Sequence, residues 1–204
     1  MKFSRNDFIS CLITGLTAGI ISWRITAFLD INLILNLPIW SLVFIIPILW
    51  IVGVKLGYFL GQWFNFFNRL GKFAAVGFTS FTVDMMTLNL LFFIFGITTG
   101  VAYPIFKTIS FSIAIAHSYI WNRYWVFGSS EYNPVGPELL KFIGVVAVGL
   151  IINVSVSSFV ASIIGPHFGL SLHAWANISA ISGAAAALLS SFIGFGSVVF
   201  KNKL

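Results

Sequence analysis

Residues 72–95 read KFAAVGFTSFTVDMMTLNLLFFIF, an apolar run long enough to cross the hydrocarbon core of a membrane as one helix. One charged side chain, Asp84, lies near the middle of this run. An ionised carboxylate in hydrocarbon costs at least about 2.5 kcal/mol, so such residues face a helix bundle, a partner or a substrate path. The sequence therefore predicts either a functional role for Asp84 or a structural ion pair. Its candidate ion-pair partners are Arg123, Lys107 and Lys55.

The composition is that of an integral membrane protein. Of the 204 residues, 59% are hydrophobic and 8% are charged, and the mean hydropathy is +1.02, whereas soluble domains carry about 25% charged residues. The apolar runs leave no stretch long enough for a soluble catalytic domain. The sequence also shows no arrangement of a nucleophile and a base that is typical of a catalytic site, so we expect no enzyme activity. No polar domain carries a basic patch for nucleic acid. With one cysteine and scattered histidines, neither a metal site nor another cofactor is predicted.

Six apolar runs have the length of a transmembrane helix. They cover residues 8–28, 39–61, 73–95, 104–126, 142–164 and 175–199. The predicted fold is therefore all-α with six membrane spans. Most basic residues fall at the span ends that belong to one side, namely Lys2, Arg5, Arg69, Lys72, Arg123, Lys141, Lys201 and Lys203. By the positive-inside rule, both termini of this multi-pass cell-membrane protein are expected in the cytoplasm.

Spans three to six show the signs of a duplicated hairpin. Lys72-Phe73 at the start of span three is echoed by Lys141-Phe142 at the start of span five, and Val126-Phe127 is echoed by Val199-Phe200. Two spans per copy return the chain to the same side, so the copies would be related by an axis along the membrane normal. Chance similarity between apolar segments is the open alternative.

The duplication divides the chain and pairs its polar residues. We predict an N-terminal two-span hairpin over residues 1–68 and a four-span domain over residues 69–204. At the same offset of 69 residues as the lysines, Asp84 corresponds to Asn153. Glycines at intervals of four in span two predict that the extra hairpin docks tightly on the four-span domain or on another protomer.

Span four carries a polar face. Residues at three- or four-residue spacing share one side of a helix, and here they are Lys107, Ser110, Ala114, Ser118 and Asn122. Lys107 and Arg123 mark opposite ends of the span, about 24 Å apart along the axis. A basic group at each interface and a polar stripe between them would suit a lipid phosphate that crosses the membrane.

Structural alternatives remain for each of these residues. Basic side chains at helix ends commonly extend to the lipid headgroups. Asn122 would then cap the helix end or bond across the bundle. His117 is either a proton-relay partner of Asp84 or a hydrogen-bonded core residue.

Three stretches together resemble the GtrA-like family: Lys72-Phe-Ala-Ala-Val-Gly-Phe78 with Val83-Asp84, Lys107, and Asn122-Arg-Tyr-Trp-Val-Phe127. The resemblance covers about residues 70 to 200. It implies a four-helix membrane domain that moves polyprenyl-phosphate-linked sugars across the cytoplasmic membrane, or that anchors a polyprenyl-phosphate glycosyltransferase. The extra N-terminal hairpin departs from the family pattern, and Phe195-Gly196 replaces a second Asn-Arg pair.

The function expected from these features is a flippase-like translocase of polyprenyl-phosphate-linked sugars for cell-surface polysaccharide synthesis or glycosylation. The predicted head-group residues are Arg123, Lys107, Asn122, Asp84, Lys72 and Lys141, and the predicted polar track adds Ser110, Ser118, His117 and Asn153. The expected partners are the lipid and the membrane, with a membrane glycosyltransferase and a second copy of the chain left open. Two other functions also stay open: a non-transporting scaffold for a glycosyltransferase, and a small proton-coupled exporter.

Overall fold

Long helices account for nearly all of the chain that the structure describes. This computed structural model describes residues 3–28, 33–34, 37–64, 67–126 and 137–194. The helices are α1 (Arg5–Phe28), α2 (Leu42–Leu60), α3 (Phe67–Phe95), α4 (Ala102–Trp121), α5 (Pro137–Ser158) and α6 (Leu172–Gly194). Each helix overlaps one of the six apolar runs, with bounds that differ by up to six residues. A helix pairs its backbone polar groups within one segment, which an apolar run in a membrane requires.

The connection between α1 and α2 contains a feature that the sequence did not predict. Strands β1 (Leu33–Ile34) and β2 (Leu37–Pro38) pair antiparallel, and a 3₁₀ turn over Ile39–Ser41 leads into α2. With two residues per strand, this pairing reverses the chain and leaves the all-α class unchanged.

Two helices end in a π-helical segment, which the sequence also did not predict. One covers Asn122–Val126 directly after α4, and the other covers Phe159–Ile164 directly after α5. Segments with i→i+5 hydrogen bonds are rare in proteins, and those that do occur often lie at functional sites. The first contains most of the Asn-Arg-Tyr-Trp-Val-Phe motif of the sequence.

Four segments of the described residues are long and apolar enough to cross a membrane. They are Arg5–Ala27, Ile39–Leu60, Phe67–Phe95 and Val146–Ile164. The protein is therefore an all-α membrane protein. Helices α4 and α6, of 20 and 23 residues, have sufficient length as well, but the count of six spans stays a prediction.

The chain forms two compact units whose boundaries fall inside α3 and α4. Unit 1 comprises Met1–Met86 and Ile113–Tyr132, and unit 2 comprises Thr87–Ser112 and Asn133–Leu204. Unit 1 therefore holds α1, α2, the first part of α3 and the last part of α4. The predicted division between residues 68 and 69 stays a prediction.

Glycines bring the helices of unit 1 into backbone contact. A Cβ atom on Gly19 would lie 2.8 Å from the carbonyl oxygen of Leu42, which places α1 directly against α2. A Cβ atom on Gly57 would likewise lie 2.8 Å from the carbonyl oxygen of Phe67, at the start of α3. The prediction that small residues dock the extra hairpin is confirmed for the contact between α2 and α3.

The core of unit 1 draws side chains from α1, α2, α3 and the π-helical segment after α4. It consists of Cys11, Val54, Tyr58, Ala75, Val76, Trp125 and Val126. Thr79 adds polar links, because its hydroxyl donates to the carbonyl oxygen of Thr14 at 3.4 Å and accepts from the indole of Trp50 at 3.4 Å. The extra hairpin is thus packed on α3 over several helical turns.

Unit 2 is built on the α5–α6 hairpin and on halves of α3 and α4. Gly183 of α6 lies against the backbone of Asn153 in α5 so closely that no Cβ atom would fit. The hydroxyl of Tyr103 in α4 donates to the carbonyl oxygen of Ala176 in α6 at 3.1 Å. Phe92 stacks on Tyr103 with ring centroids 5.9 Å apart.

The turns of unit 2 repeat along the chain. Gly96 and Gly100 have φ angles of +66° and +71°, and Gly165 and Gly169, each 69 residues later, have φ angles of +72° and +70°. Only glycine adopts this conformation readily. These matching φ angles, at the offset predicted from the lysines, agree with a duplicated hairpin, which itself stays a prediction.

Candidate functional site

A buried carboxylate in unit 1 gathers donors from four segments of the chain. The Nζ atom of Lys72 lies 2.6 Å from Oδ1 of Asp7, and the indole Nε1 of Trp125 donates to the same oxygen at 3.1 Å. The Tyr58 hydroxyl donates to Oδ2 at 2.9 Å. The backbone N–H and the hydroxyl of Ser4 donate to Oδ2 at 3.0 and 2.9 Å. We call these five residues the Asp7 cluster.

The first turn of α1 positions the Asp7 carboxylate. The hydroxyl of Ser4 accepts a hydrogen bond from the backbone N–H of Asp7 at 3.1 Å, while the Asp7 side chain accepts from the backbone N–H of Ser4. This reciprocal pattern is a capping box, in which two orphan N–H groups at a helix start are satisfied together. It fixes the side chain of Asp7 relative to the axis of α1.

The Asp7 cluster also fixes the direction of the helices within unit 1. Asp7 and Lys72 lie near the starts of α1 and α3, whereas Tyr58 and Trp125 lie near the end of α2 and just beyond the end of α4. Their contacts therefore bring two helix starts and two helix ends together. This arrangement agrees with helices that alternate in direction, and the membrane topology itself stays a prediction.

Sequence reasoning missed Asp7, although a signal was present. A serine followed three residues later by an acidic residue, directly before an apolar run, marks a helix start. Lys72, predicted as a head-group residue, is paired with this carboxylate in the structure, and its predicted ligand role stays a prediction. Asp7 is 3% exposed and the Lys72 side chain is 13% exposed, so the carboxylate is shielded from water and the ammonium group is largely covered.

The predicted polar face of α4 lies mainly on the buried side of the helix. In unit 2, Lys107 and Ser110 are fully buried, and the Ser110 hydroxyl donates to the carbonyl oxygen of Lys107 at 3.1 Å. Ile105 and Ile109, on the opposite side, are exposed. A buried lysine in a helix of a membrane protein is costly and calls for compensating contacts.

In unit 1 the same helix face is less deeply covered. Ala114 is buried, and Ser118 and Asn122 are half-buried. The amide of Asn122 donates to the backbone carbonyl and to the hydroxyl of Ser118 at 2.8 and 3.1 Å, and its own Oδ1 atom has no partner among the described residues. The amide nitrogen of Asn122 thus bonds within its own helix. The side-chain oxygen of Asn122 remains available as a hydrogen-bond acceptor in the interior.

Asp84 and His117 both lie in unit 1, where Asp84 is buried and His117 is half-buried. Asp84 is buried, with 3% of the residue exposed. Nδ1 of His117 lies 3.0 Å from the hydroxyl of Ser80, which links α4 to α3. This contact fits the alternative of a hydrogen-bonded core histidine, and the proton-relay role stays a prediction.

Asn153 of α5 has a buried side chain with no polar partner in the part of the chain that the structure describes. Neither its amide nitrogen nor its side-chain oxygen finds a hydrogen bond among the described residues, and none of the residue is exposed. An unpaired buried amide costs about 1–3 kcal/mol, so its persistence calls for an explanation such as a bound water or ligand. Its backbone carbonyl accepts a hydrogen bond from Ser157.

The side chains of Arg123 and Lys141 lie outside the described part of the structure. The backbone of Arg123 is within the π-helical segment after α4, and that of Lys141 is in α5. No group of three metal-ligating side chains occurs among the described residues.

An apolar groove runs along the outer surface of unit 1 between α2 and α3. Its volume is about 420 Å³, and both helices contribute small and aliphatic residues to its walls. Leu49, Gly53, Leu56, Gly71, Ala74 and Phe78 are among the lining residues. The groove has the chemistry of a surface that hydrocarbon chains cover.

The features described above define the class of this protein. It is a small all-α membrane protein with membrane helices, a buried polar face and repeated glycine turns. A family model described as GtrA/DPMS, transmembrane domain, matches residues 72–200. The chain belongs to this family, which confirms the resemblance found in its sequence. No characterised protein and no solved structure shows significant similarity to the chain. The match begins at Lys72, so α1 and α2 lie outside it.

Proposed function

We propose that this protein is a six-span translocase that carries polyprenyl-phosphate-linked sugars across the cytoplasmic membrane, with both termini in the cytoplasm. The observation that supports it best is the burial of Lys107 and Ser110 on one face of α4 in a member of the GtrA/DPMS family. Polar and ionisable residues kept within membrane helices are costly and usually functional. A lysine ammonium is also a common binding group for phosphate.

In the proposed mechanism, the sugar and phosphate travel along the protein while the isoprenoid tail stays in lipid. The polar face of α4 would contact the head group, with Arg123 and Asn122 at the cytoplasmic end and Lys107 at the other. The apolar groove between α2 and α3 offers a hydrocarbon-compatible surface for part of the tail.

Access to this face requires a change of conformation. Lys107 and Ser110 are fully covered by protein, so a head group can reach them only if neighbouring helices move apart. Such a movement could take place at the π-helical segments after α4 and α5. Their backbone has i→i+5 hydrogen bonds, which interrupt the regular i→i+4 pattern of the preceding helices. We propose a second conformation in which the polar face is open.

The same burial favours a second candidate, a non-transporting scaffold that positions a membrane glycosyltransferase. If the polar face never opens, Lys107 and Ser110 serve only to hold helices together. A scaffold would bind a transferase without exchanging lipid between the leaflets.

Reconstitution in liposomes tests the proposal. The purified chain is inserted into vesicles with a labelled polyprenyl-phosphate sugar, and the label accessible from outside is followed over time. We expect exchange between leaflets, and we expect Lys107→Met to reduce its rate at least tenfold because the side-chain length is kept and the charge is lost. Ser112→Ala is the control, since Ser112 is exposed on the other side of α4.

Three other outcomes would count against the translocase or against its proposed pathway along α4. No exchange above that of empty vesicles, combined with capture of a co-expressed glycosyltransferase, would support the scaffold. Exchange that is unaffected by Lys107→Met would exclude this face of α4 from the pathway. Cation efflux that Asp84→Asn abolishes, without lipid exchange, would support the proton-coupled exporter.

A further inference from the structure

We propose that Lys72, Tyr58 and Trp125 form a phosphate site which the chain fills with its own Asp7 carboxylate. A phosphate group would enter when the first turn of α1 moves away. The inference rests on the proposed function only for the choice of a lipid phosphate over free phosphate as the natural ligand. It assigns a role to the N-terminal hairpin, which lies outside the family match.

Three donors outside α1 converge on the position of the Asp7 carboxylate. Lys72, Tyr58 and Trp125 present an ammonium group, a phenolic hydroxyl and an indole N–H to it at 2.6 to 3.1 Å. The two donors of Ser4 belong to the turn that would move away with Asp7. A phosphate monoester has three strong acceptor oxygens, so the donors that remain match it in number.

The charge of Lys72 also requires an anion at this position. If the Asp7 carboxylate left and nothing replaced it, the ammonium of Lys72 would be buried without a counter-charge, which is strongly unfavourable. Another anion must therefore take its place. The ammonium of Lys55 lies 5.3 Å from the ring of Phe3, next to the same first turn. Lys55 also precedes Tyr58 by three residues in α2, so the two residues share one face of that helix. A second cation on this face favours an anion that carries more than one charge.

The groups of the Asp7 cluster come from two parts of the chain. Lys72 and Trp125 belong to the family-matched residues 72–200, whereas the donor Tyr58 belongs to the added hairpin together with Asp7 and Ser4. The described bonds that hold the turn before Asp7 are mainly those of Ser4, including its carbonyl contact with the backbone N–H of Phe8 at 3.1 Å. Helix ends open more readily than helix interiors. The first turn of α1 is therefore the part of the Asp7 cluster that would move when a phosphate group enters.

Binding measurements on the full chain in lipid nanodiscs test the inference. The probes are farnesyl phosphate, inorganic phosphate and the uncharged alcohol farnesol. We expect Asp7→Asn to bind farnesyl phosphate at least tenfold more tightly than the unmodified chain, with no gain for farnesol. Adding Lys72→Met to Asp7→Asn should remove the gain, and Ser112→Ala should leave binding as in the unmodified chain.

Ser4→Ala keeps the inference testable if Asp7→Asn does not fold. This change removes one donor to Asp7 and the hydroxyl of the capping box, while Lys72, Tyr58 and Trp125 keep their side chains. We expect farnesyl phosphate to bind two- to fivefold more tightly than to the unmodified chain.

The outcomes separate this inference from the proposed function. Unchanged or weaker phosphate binding in both Asp7→Asn and Ser4→Ala would show that the Asp7 cluster is only a structural ion pair, whatever the transport assay gives. An equal gain for farnesol would mean that the variant loosens packing, and it too would overturn the inference. A gain for inorganic phosphate without one for farnesyl phosphate would confirm the anion site and assign it to free phosphate.

Discussion

The side-chain amides of Asn89 and Asn177 exchange two hydrogen bonds within unit 2. Asn89 donates to Asn177 at 2.6 Å and accepts from it at 2.8 Å, which joins α3 to α6. Asn177 also donates to the backbone carbonyl of His173 at 2.9 Å. Such a paired amide satisfies donor and acceptor on both sides, so it fixes the rotation of one helix against the other.

Replacing one member of this amide pair should destabilise unit 2. We expect Asn89→Leu to lower the free energy of unfolding by about 1–2 kcal/mol, because the buried amide of Asn177 then loses a donor and an acceptor. Thermal or denaturant unfolding in detergent micelles measures the change. The double change with Asn177→Leu should cost less than the sum of the single changes, and strict additivity would show that the two amides do not interact.

The backbone contact between α2 and α3 should tolerate no side chain at Gly57. A methyl group there would meet the carbonyl oxygen of Phe67 at 2.8 Å, so α2 and α3 must separate. We expect Gly57→Ala to lower the free energy of unfolding by about 1–3 kcal/mol. Gly53→Ala, one turn earlier, is the matched control because nothing lies within 4 Å of its added methyl group. If both variants are equally stable, the close contact of the two helices is refuted.

The sequence predicted the helices well and the interior contacts less well. Long apolar runs fix where helices form, because a membrane helix must be apolar over its length. The direction of the Lys107 and Ser110 side chains also followed from their spacing, since helix periodicity puts them on one face. The partner of Lys72 was not predicted, because Asp7 is 65 positions away and only tertiary packing brings the two together. The π-helical segment at Asn122–Val126 has no local sequence signal that we recognise.

Neutralising Asp7 should weaken unit 1 by leaving a buried cation. We expect Asp7→Asn, without added ligand, to lower the free energy of unfolding by about 3 kcal/mol, as is usual when one partner of a buried ion pair is removed. The double variant Asp7→Asn with Lys72→Met should recover part of that loss, because no uncompensated charge remains. Unfolding in nanodiscs of neutral lipid measures both. A double variant as unstable as the sum of the two single variants would mean that the pair contributes through packing alone.

The repeated glycine turns of unit 2 should respond alike to the same substitution. Gly96 and Gly165 adopt φ angles of +66° and +72°, where a residue with a Cβ atom pays about 1–3 kcal/mol of backbone strain. No atom lies within 4 Å of a Cβ placed on either residue, so Gly96→Ala and Gly165→Ala should destabilise by backbone strain alone and by similar amounts. Gly77→Ala provides the control, because that position is helical and equally open, and there alanine should be neutral or slightly stabilising. If Gly165→Ala is neutral while Gly96→Ala is costly, the two turns are not equivalent, and the interpretation of unit 2 as containing matching halves of a duplicated hairpin loses its structural support.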